Sequence, residues 1–357
     1  MRKNRQLKDW TGVIARHFSH LSKPQIKGLA QWSFGMAMSQ SSGLSTVSAF
    51  LGRLLGQSEN SVRQRLRDWY KDAKEKAGEQ RQQLEVSSCF GPLLAWVLSL
   101  WVSDSRQLPL AMDATTLGQR FSVLSIGVLY RGCSIPIAWK VVKATEAGSW
   151  RPYWLELFDC LKAIVPPGWQ VTVSADRGLY ADWLYRKIVE LEWHPLLRIN
   201  LGGTFCPAGE REFRPLRDFV PKTGTEQSLC GRCFKSNPLE CTLLARWDEG
   251  YQDPWLIVTD LPPAQAEAAW YGLRAWQECG YRDIKSDGWQ WQHTRMDDPT
   301  RAERLWLAMA VATLWAVNWG GTKMLCNPHR RPPLNLPLPQ RLTLAPHLAS
   351  SLAFAEG

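Results

Sequence analysis

Three strand-like runs follow one another in the middle of the chain and constrain its fold more than any other feature. They span 108–116 (LPLAMDATT), 121–130 (FSVLSIGVLY) and 133–142 (CSIPIAWKVV), with only short polar or glycine-containing turns between them. Apolar and β-branched runs at this spacing predict an antiparallel meander. The middle of the chain is therefore expected to begin with a three-stranded sheet.

Helices and strands then alternate along the chain. The expected segments are a helix at 150–165, a strand at 169–175, a helix at 181–192 and a strand at 194–199. A meander followed by such alternation predicts a mixed sheet with helices packed on it. Residues 201–260 break into short extended pieces with Gly, Pro and Cys, which we interpret as a β-rich insertion. Helices are expected again over about 264–285 and 300–325.

The positive charge of the chain is concentrated at its N-terminus. The formal net charge is +10, and residues 1–76 hold 14 Lys or Arg against five Asp or Glu, so this segment alone carries +9. Helices are expected over 22–38, 44–56 and 58–71. The last of them carries Arg63, Arg65 and Arg67, and three short helices with a basic last helix are typical of helix-turn-helix modules. The expected partner is DNA or RNA, and a solvated charged face is the alternative.

Apolar runs and cysteines argue against two other classes of protein. The longest apolar runs, 90–102 and 305–319, are shorter than the roughly 20 residues that a membrane-spanning helix needs. The nine cysteines are an odd number, and no apolar segment follows the basic N-terminus as in a secretory signal. We therefore expect a cytoplasmic protein with reduced thiols and no membrane partner.

Two aspartates lie at unusual positions in the predicted strands. Asp113 stands in the middle of an apolar run, where a carboxylate is rare and costly if buried without a partner. Asp176 follows an apolar strand, and sites collect at the C-termini of strands in open α/β sheets. The alternatives are a turn aspartate for Asp113 and a helix N-cap for Asp176.

The segment 271–285 (YGLRAWQECGYRDIK) gathers functional side chains on one predicted helical face. Its four candidates are Tyr271, Arg274, Glu278 and Lys285. In a regular helix, their spacings of three, four and seven residues bring them within a sector of about 60°. An exposed ion-pair stripe is the alternative, because Arg274 and Glu278 are four residues apart.

These residues together resemble the signatures of a known family. The four spaced residues match the Tyr-x2-Arg-x3-Glu-x6-Lys signature of transposases in the bacterial insertion-sequence family called IS-four. The order Asp113, Asp176, Glu278 resembles the Asp-Asp-Glu triad of transposases with a ribonuclease H-like core. The block SADRGLYADWL around Asp176 is also similar to that family's. The resemblance covers roughly 108–320, and Asp104 competes with Asp113 for the first position.

The resemblance implies a multidomain α/β fold. Its centre is a ribonuclease H-like mixed sheet with flanking helices, and a β-rich insertion precedes the last catalytic Glu. A helical DNA-binding domain lies at the N-terminus. The expected bounds are 1–76 for the DNA-binding domain, 77–106 for a linker and connecting helix, 107–200 and 261–328 for the two parts of the catalytic core, 201–260 for the insertion, and 329–357 for a Pro-rich tail.

The resemblance also implies an activity. Asp113, Asp176 and Glu278 would be catalytic and would hold Mg²⁺, which prefers oxygen ligands, with two ions per site and Mn²⁺ able to substitute. The enzyme would cleave the ends of its mobile element and join the 3′-OH ends to target DNA. Its partners would be terminal inverted repeats and target DNA, bound by a homodimer in a synaptic complex beside the bacterial nucleoid. No small-molecule substrate is expected.

Further side chains are expected to contact the DNA. Tyr271, Arg274 and Lys285 would bind phosphates near the cut, since Arg can grip a phosphate with two nitrogens and Lys acts as a point charge. Relatives often form a DNA hairpin, which needs a base moved out of the stack and held on an aromatic ring. The candidate rings nearest the signature are Trp276, Trp289 and Trp291.

Two alternative functions and one alternative metal site are considered. The chain could be a non-catalytic DNA-binding protein derived from a transposase, or a ribonuclease H-like nuclease without strand transfer. Cys230 and Cys233 have the CxxC spacing of a zinc site. Cys206 and Cys241 are irregularly spaced and no second CxxC exists, so we do not expect structural zinc.

Overall fold

The structure, a computed structural model, describes residues 2–77, 81–101 and 106–318. Asp104 and the Pro-rich tail fall outside these ranges, as does the end of the helix expected over 300–325. Among the described helices, none combines the length and apolar character needed to cross a bilayer.

A single ten-stranded sheet runs through the centre of the described residues. Its strands are β1 (Gln107–Leu117), β2 (Phe121–Tyr130), β3 (Cys133–Lys143), β4 (Gln170–Ala175), β5 (His194–Arg198), β6 (Thr204–Pro207), β7 (Arg214–Pro215), β8 (Glu226–Cys233), β9 (Leu239–Arg246) and β10 (Trp255–Thr259). Their order across the sheet is β3-β2-β1-β4-β5-β10-β9-β8-β6-β7. β1, β2 and β3 pair antiparallel, whereas β4 is parallel to β1 and β5 is parallel to β4. The predicted meander and mixed sheet are confirmed.

Helices cover the sheet and build the N-terminal region. They are α1 (Arg2–His17), α2 (Lys23–Ser39), α3 (Leu44–Leu55), α4 (Glu59–Trp69), α5 (Phe90–Ser99), α6 (Arg151–Lys162), α7 (Asp182–Glu190), α8 (Ala275–Arg282) and α9 (Pro299–Asn318). The three expected N-terminal helices form as α2, α3 and α4. Helix α1 was not predicted, although Leu7, Trp10 and Ile14 recur at helical spacing and are all buried.

The strands of 201–260 extend the central sheet. β10 pairs antiparallel with β5 through Ile257 and Arg198, and with β9 through Ile257 and Leu244. The β-rich content expected of this segment is present as β6 to β10. Its main chain is hydrogen-bonded to the rest of the sheet, so the segment is not a separate layer. That it is an insertion into a family core stays a prediction.

The N-terminal helices share one continuous hydrophobic core with the sheet. A buried arginine reinforces this contact. Arg304 on α9 is 2% exposed and donates to the carbonyl oxygens of Tyr70 and Leu84. Its Nη1 also lies 2.8 Å from Oδ1 of Asp72. The predicted boundary at residue 76 therefore does not divide two separate cores.

Candidate active site

Neighbouring parallel strands bring Asp113 and Asp176 level with each other. Ala111 of β1 pairs with Ser174 of β4, and the same offset continued by two residues sets Asp113 beside Asp176. Residues two apart along a strand point to the same face. Both aspartates therefore leave the sheet on one side, where β4 ends.

The segment that follows the sheet is helical, but its winding changes twice. It is a 3₁₀ helix over Ala268–Arg274, an α-helix over Ala275–Arg282 and a π-helix over Asp283–Asp287. This corrects the regular helix expected over 264–285. Gly272 and Gly280 lower the local α-helix propensity. A 3₁₀ helix has three residues per turn, so Tyr271 and Arg274 still lie one above the other.

The guanidinium of Arg274 lies between the three candidate carboxylates. Its Nη2 is 2.8 Å from Oδ2 of Asp113 and 3.7 Å from Oδ2 of Asp176. Its Nη1 is 2.8 Å from Oε1 of Glu278. The side chain is 9% exposed, and its buried Nε makes no hydrogen bond with any described residue. The three carboxylates thus converge on one cationic group.

Burial and charge act in opposite directions on these groups. Burial raises the pKa of Asp113, and the nearby charge of Arg274 opposes that rise. Burial alone would lower the pKa of Arg274, but Tyr271 and the three carboxylates raise it, so the side chain remains cationic. Each charge at this site therefore depends on its neighbours.

Tyr271 bonds one of these carboxylates, and the charge of another acts on Lys285. The hydroxyl of buried Tyr271 donates to Oδ1 of Asp176 at 3.5 Å. Burial lowers the pKa of half-buried Lys285, and the charge of Asp113 opposes this. Tyr271 and Arg274 therefore contact the aspartates directly and Glu278 is held through Arg274, whereas the link between Lys285 and Asp113 is electrostatic. The exposed ion-pair alternative does not describe the buried Arg274.

A buried chain of hydrogen bonds lies behind Asp113. The hydroxyl of Tyr281 donates to the backbone oxygen of Asp113 at 2.7 Å and bonds the hydroxyl of Ser125 at 2.8 Å. Nε2 of Gln277 donates to Ser125 at 3.2 Å, and its Oε1 accepts from the hydroxyl of Ser134. This chain ties α8 to the strands that carry the site.

Sequence reasoning missed this chain of hydrogen bonds. One signal was present, because β2 is buried along its whole length and Ser125 is a polar residue inside it. A buried hydroxyl needs a hydrogen-bond partner, but the sequence does not say which residue supplies it.

The resemblance implies divalent cations, and the donor set fits them. No group of three or more His, Cys, Asp or Glu in the described ranges is arranged as metal ligands as it stands. The three carboxylates nevertheless point at one positive centre from three separate elements. Carboxylate oxygens are the ligands that Mg²⁺ prefers. A cation in the place of the guanidinium would meet oxygen donors from all three elements.

The three tryptophans proposed for base stacking lie in the core. Trp276, Trp289 and Trp291 are all buried. Nε1 of Trp289 donates to the hydroxyl of Thr313, and Trp291 stacks on Phe121. None of the three offers an open ring face to a base in this structure. Trp289 and Trp291 pack between the sheet and α9, whereas Trp276 packs on Ala111 and Leu129 of the sheet. Their burial argues against the stacking prediction.

The three arginines of α4 differ in their surroundings. Arg63 and Arg67 are exposed and line a cleft of about 500 Å³ between α4, the start of α3 and the segment before α9. Arg65 instead turns toward α2, where its Nε donates to Gln31, and it also bonds Gln57. Arg65 is therefore a structural contact of α4, which corrects its expected equivalence with the other two.

The cysteines of 201–260 do not form a metal cluster in the described residues. Cys230 is exposed, whereas Cys206, Cys233 and Cys241 are buried. Hydrogen bonding with Cys241 and burial raise the pKa of the Cys233 thiol, which favours its protonated form.

Comparison with known proteins adds one decisive match. The family described as "Transposase DDE domain" matches residues 104–315, which is more than half of the chain and includes all three carboxylates. No curated protein matches the chain. A solved piggyBac transposase synaptic complex with hairpin DNA is similar over 86% of this chain and 72% of its own, at 12% identity and a TM-score of 0.36, too distant to support an inference. On the strength of the match over 104–315, the chain belongs to the transposase DDE domain family.

Proposed function

We propose that this protein is a DNA transposase that cleaves the ends of its mobile element and joins the 3′-OH ends to target DNA. The observation that carries the proposal is the convergence of Asp113, Asp176 and Glu278 on one cationic centre. The family match supports it, and the four-residue signature of 271–285 favours the IS-four family within that class.

The three carboxylates would hold the metal ions, two Mg²⁺ per site with Mn²⁺ as a substitute. When bound, such ions activate the attacking oxygen and stabilise the leaving oxygen of the phosphoryl transfer. Asp113 lies in β1 and Asp176 directly follows β4, which pairs with β1, so the sheet limits their separation. Glu278 is 60% exposed and can adjust its side chain as the site is loaded.

Tyr271, Arg274 and Lys285 would contact the phosphates beside the cut. Their role is to hold the reacting phosphate in line with the carboxylates. A displacement of roughly 1 Å can cost on the order of 100-fold in rate. Arg274→Ala and Lys285→Ala are therefore expected to slow cleavage by about that factor, and Arg274→Lys should also be impaired because a point charge cannot replace the planar fork.

The cleft beside α4 is the proposed contact with the terminal inverted repeats. Arg63 and Arg67 reach it from α4, and Arg295 reaches it from the segment before α9. Asp298 also lines this cleft, but its carboxylate accepts from the backbone of Arg301 at the start of α9. Arginines that neutralise phosphates release counterions and so bind duplex DNA without reading its sequence. A homodimer in a synaptic complex, acting beside the bacterial nucleoid, completes the proposal.

The test is single-turnover cleavage in Mg²⁺ of the DNA that flanks the gene, if it carries inverted repeats. Asp113→Ala, Asp176→Ala and Glu278→Ala should each abolish cleavage and leave DNA binding largely intact. Asp260→Ala is the matched control. Its carboxylate pairs with His194 at 3.1 Å, at the start of β5, whereas Asp176 lies beside the end of that strand.

Each outcome of this test has a clear meaning. Substantial cleavage by one of the three alanine variants removes that residue from the catalytic set. Cleavage by the unaltered protein without joined products favours a nuclease that lacks strand transfer. DNA binding without any cleavage favours a non-catalytic protein derived from a transposase.

A further inference from the structure

We propose that Arg274 is an internal counterion of the metal site, which must leave the three carboxylates before they can serve as ligands. This inference rests on the proposed function, because it assumes that these carboxylates bind metal ions. It goes beyond that function by giving Arg274 a second task before any DNA is bound.

The guanidinium of Arg274 is occupied by the carboxylates. Both of its terminal nitrogens are engaged, Nη2 by Asp113 and Asp176 and Nη1 by Glu278. The remaining nitrogen, Nε, is buried. A fork-like grip on a phosphate needs two adjacent N–H groups that are accessible. With these nitrogens paired or buried and the side chain only 9% exposed, Arg274 offers no such pair. In this conformation Arg274 can neutralise the carboxylates, but it cannot also grip a phosphate.

The negative charge of the site requires a counterion nearby. Three carboxylates lie around Arg274, and Lys285 is a second cation on which the charge of Asp113 acts. Like charges gathered at such distances repel each other, most strongly where water is excluded. The guanidinium holds Glu278 against the aspartates, since its Nη1 makes an ion pair with that exposed side chain at 2.8 Å. Arg274 thus keeps the ligands together while competing for the same oxygens.

The backbone changes its winding at Arg274. Arg274 ends the 3₁₀ segment and directly precedes α8. Rotation about its side-chain bonds would move the guanidinium away from the carboxylates, while Asp113 stays in β1 and Asp176 stays beside the end of β4. The released guanidinium would remain beside the metal site, where the proposed function needs a side chain that binds the DNA phosphate. Metal loading and the grip on DNA would therefore be linked through one side chain.

The experiment measures Mn²⁺ affinity of the full-length protein without DNA, by titration calorimetry and by the rise in Tm on adding Mn²⁺. Loss of two charge-assisted contacts with the carboxylates should let Arg274→Ala bind Mn²⁺ at least about tenfold more tightly. Arg274→Gln, which keeps a polar side chain, is the substitute if the alanine variant does not fold. Lys285→Ala is the matched control, since it removes one positive charge that acts on Asp113 and keeps the guanidinium that pairs with all three carboxylates.

The proposal is supported if Arg274→Ala or Arg274→Gln gains clearly more affinity than Lys285→Ala. Equal gains would overturn it, because general electrostatics would then be sufficient, and so would unchanged or weaker binding. Asp113→Asn separates this failure from failure of the proposed function. If Mn²⁺ affinity depends on Asp113 but not on Arg274, only the counterion role of Arg274 is wrong and the proposed metal site stands. If Mn²⁺ affinity is the same with and without Asp113, the proposed metal site itself is wrong.

Discussion

Gly127→Ala is expected to disturb the candidate active site without touching any of its carboxylates. Gly127 lies in β2, where the register with β3 shifts between Ile126 and Gly127. A Cβ added there would lie 2.0 Å from Oγ of Ser134 and 2.8 Å from Oε1 of Gln277. These two atoms form the hydrogen bond at the end of the chain that leads to Asp113, so the methyl group would have to separate them.

The cost follows from overpacking and from the broken hydrogen bond. Forcing an extra methyl into a packed core costs about 1–3 kcal/mol, and losing one hydrogen bond adds about 0.5–1.5 kcal/mol. Gly127→Ala should therefore lower the free energy of unfolding by about 2–4 kcal/mol. Ser134→Ala alone should cost about 1–2 kcal/mol, because Oε1 of Gln277 loses its partner. Ser134→Ala also removes the atom nearest to the added methyl group. The double variant should therefore lose less unfolding free energy than the sum of the two single losses, by about 1 kcal/mol or more.

Urea unfolding of the unaltered protein, the two single variants and the double variant gives the coupling energy between Gly127→Ala and Ser134→Ala directly. Cleavage of a DNA end by the folded variants measures the effect on the candidate active site. A shift of Asp113 transmitted through Tyr281 should slow cleavage by about 10–100-fold. Losses that add within about 0.5 kcal/mol would refute the reasoning, because the methyl and the hydroxyl would then not compete for one space. A normal cleavage rate in a destabilised Gly127→Ala protein would show that the chain does not position Asp113.

Two further predictions concern the N-terminal region. Arg63→Ala and Arg67→Ala should each weaken DNA binding and reduce the steepness of log affinity against log salt concentration by about 1, whereas Arg65→Ala should change this slope less. Fluorescence anisotropy over a series of salt concentrations measures the slopes. Equal slopes for the three variants would contradict the prediction. Arg304→Ala should lower the free energy of unfolding by about 3–5 kcal/mol. The hydrogen bond with Arg304 lowers the pKa of Asp72, so the stability from this pair is present at neutral pH and lost as the pH falls below about 4 through the folded-state pKa. Thermal unfolding at pH 7 and pH 3 should show a smaller pH effect in Arg304→Ala than in the unaltered protein, and an equal effect would contradict the assignment.

The parts of the fold that depend on local pattern could be predicted from the sequence. β1, β2 and β3 begin and end within about a residue of the expected runs, because apolar runs and turn residues mark both ends. Asp113 and Asp176 stood out for the same local reason. Tyr271 and Arg274 were also expected on one helical face, although the expectation assumed a regular α-helix. They lie on one face of the observed 3₁₀ helix as well, because three residues complete a 3₁₀ turn.

The parts that depend on distant segments could not be predicted. Spacing shows which side of its own helix a residue faces, but not what covers that side. Arg65 and Trp291 are therefore misjudged in the same way: one was expected to face DNA and contacts α2, the other was expected to face a base and packs on β2. The pairing of β10 with β5 joins strands more than 50 residues apart, and no local pattern specifies it.

The continuous core between α1–α4 and α9 has a consequence for attempts to replace the N-terminal helices by another domain. A foreign recognition module grafted in place of residues 1–76 would strip the apolar cover from α9 and leave the guanidinium of Arg304 without the carbonyl of Tyr70 and the carboxylate of Asp72. Such a chimera should misfold even if both of its parents are stable. Changes to this region are better confined to outward side chains of α4, or to a module appended before α1, so that the buried surface stays as it is.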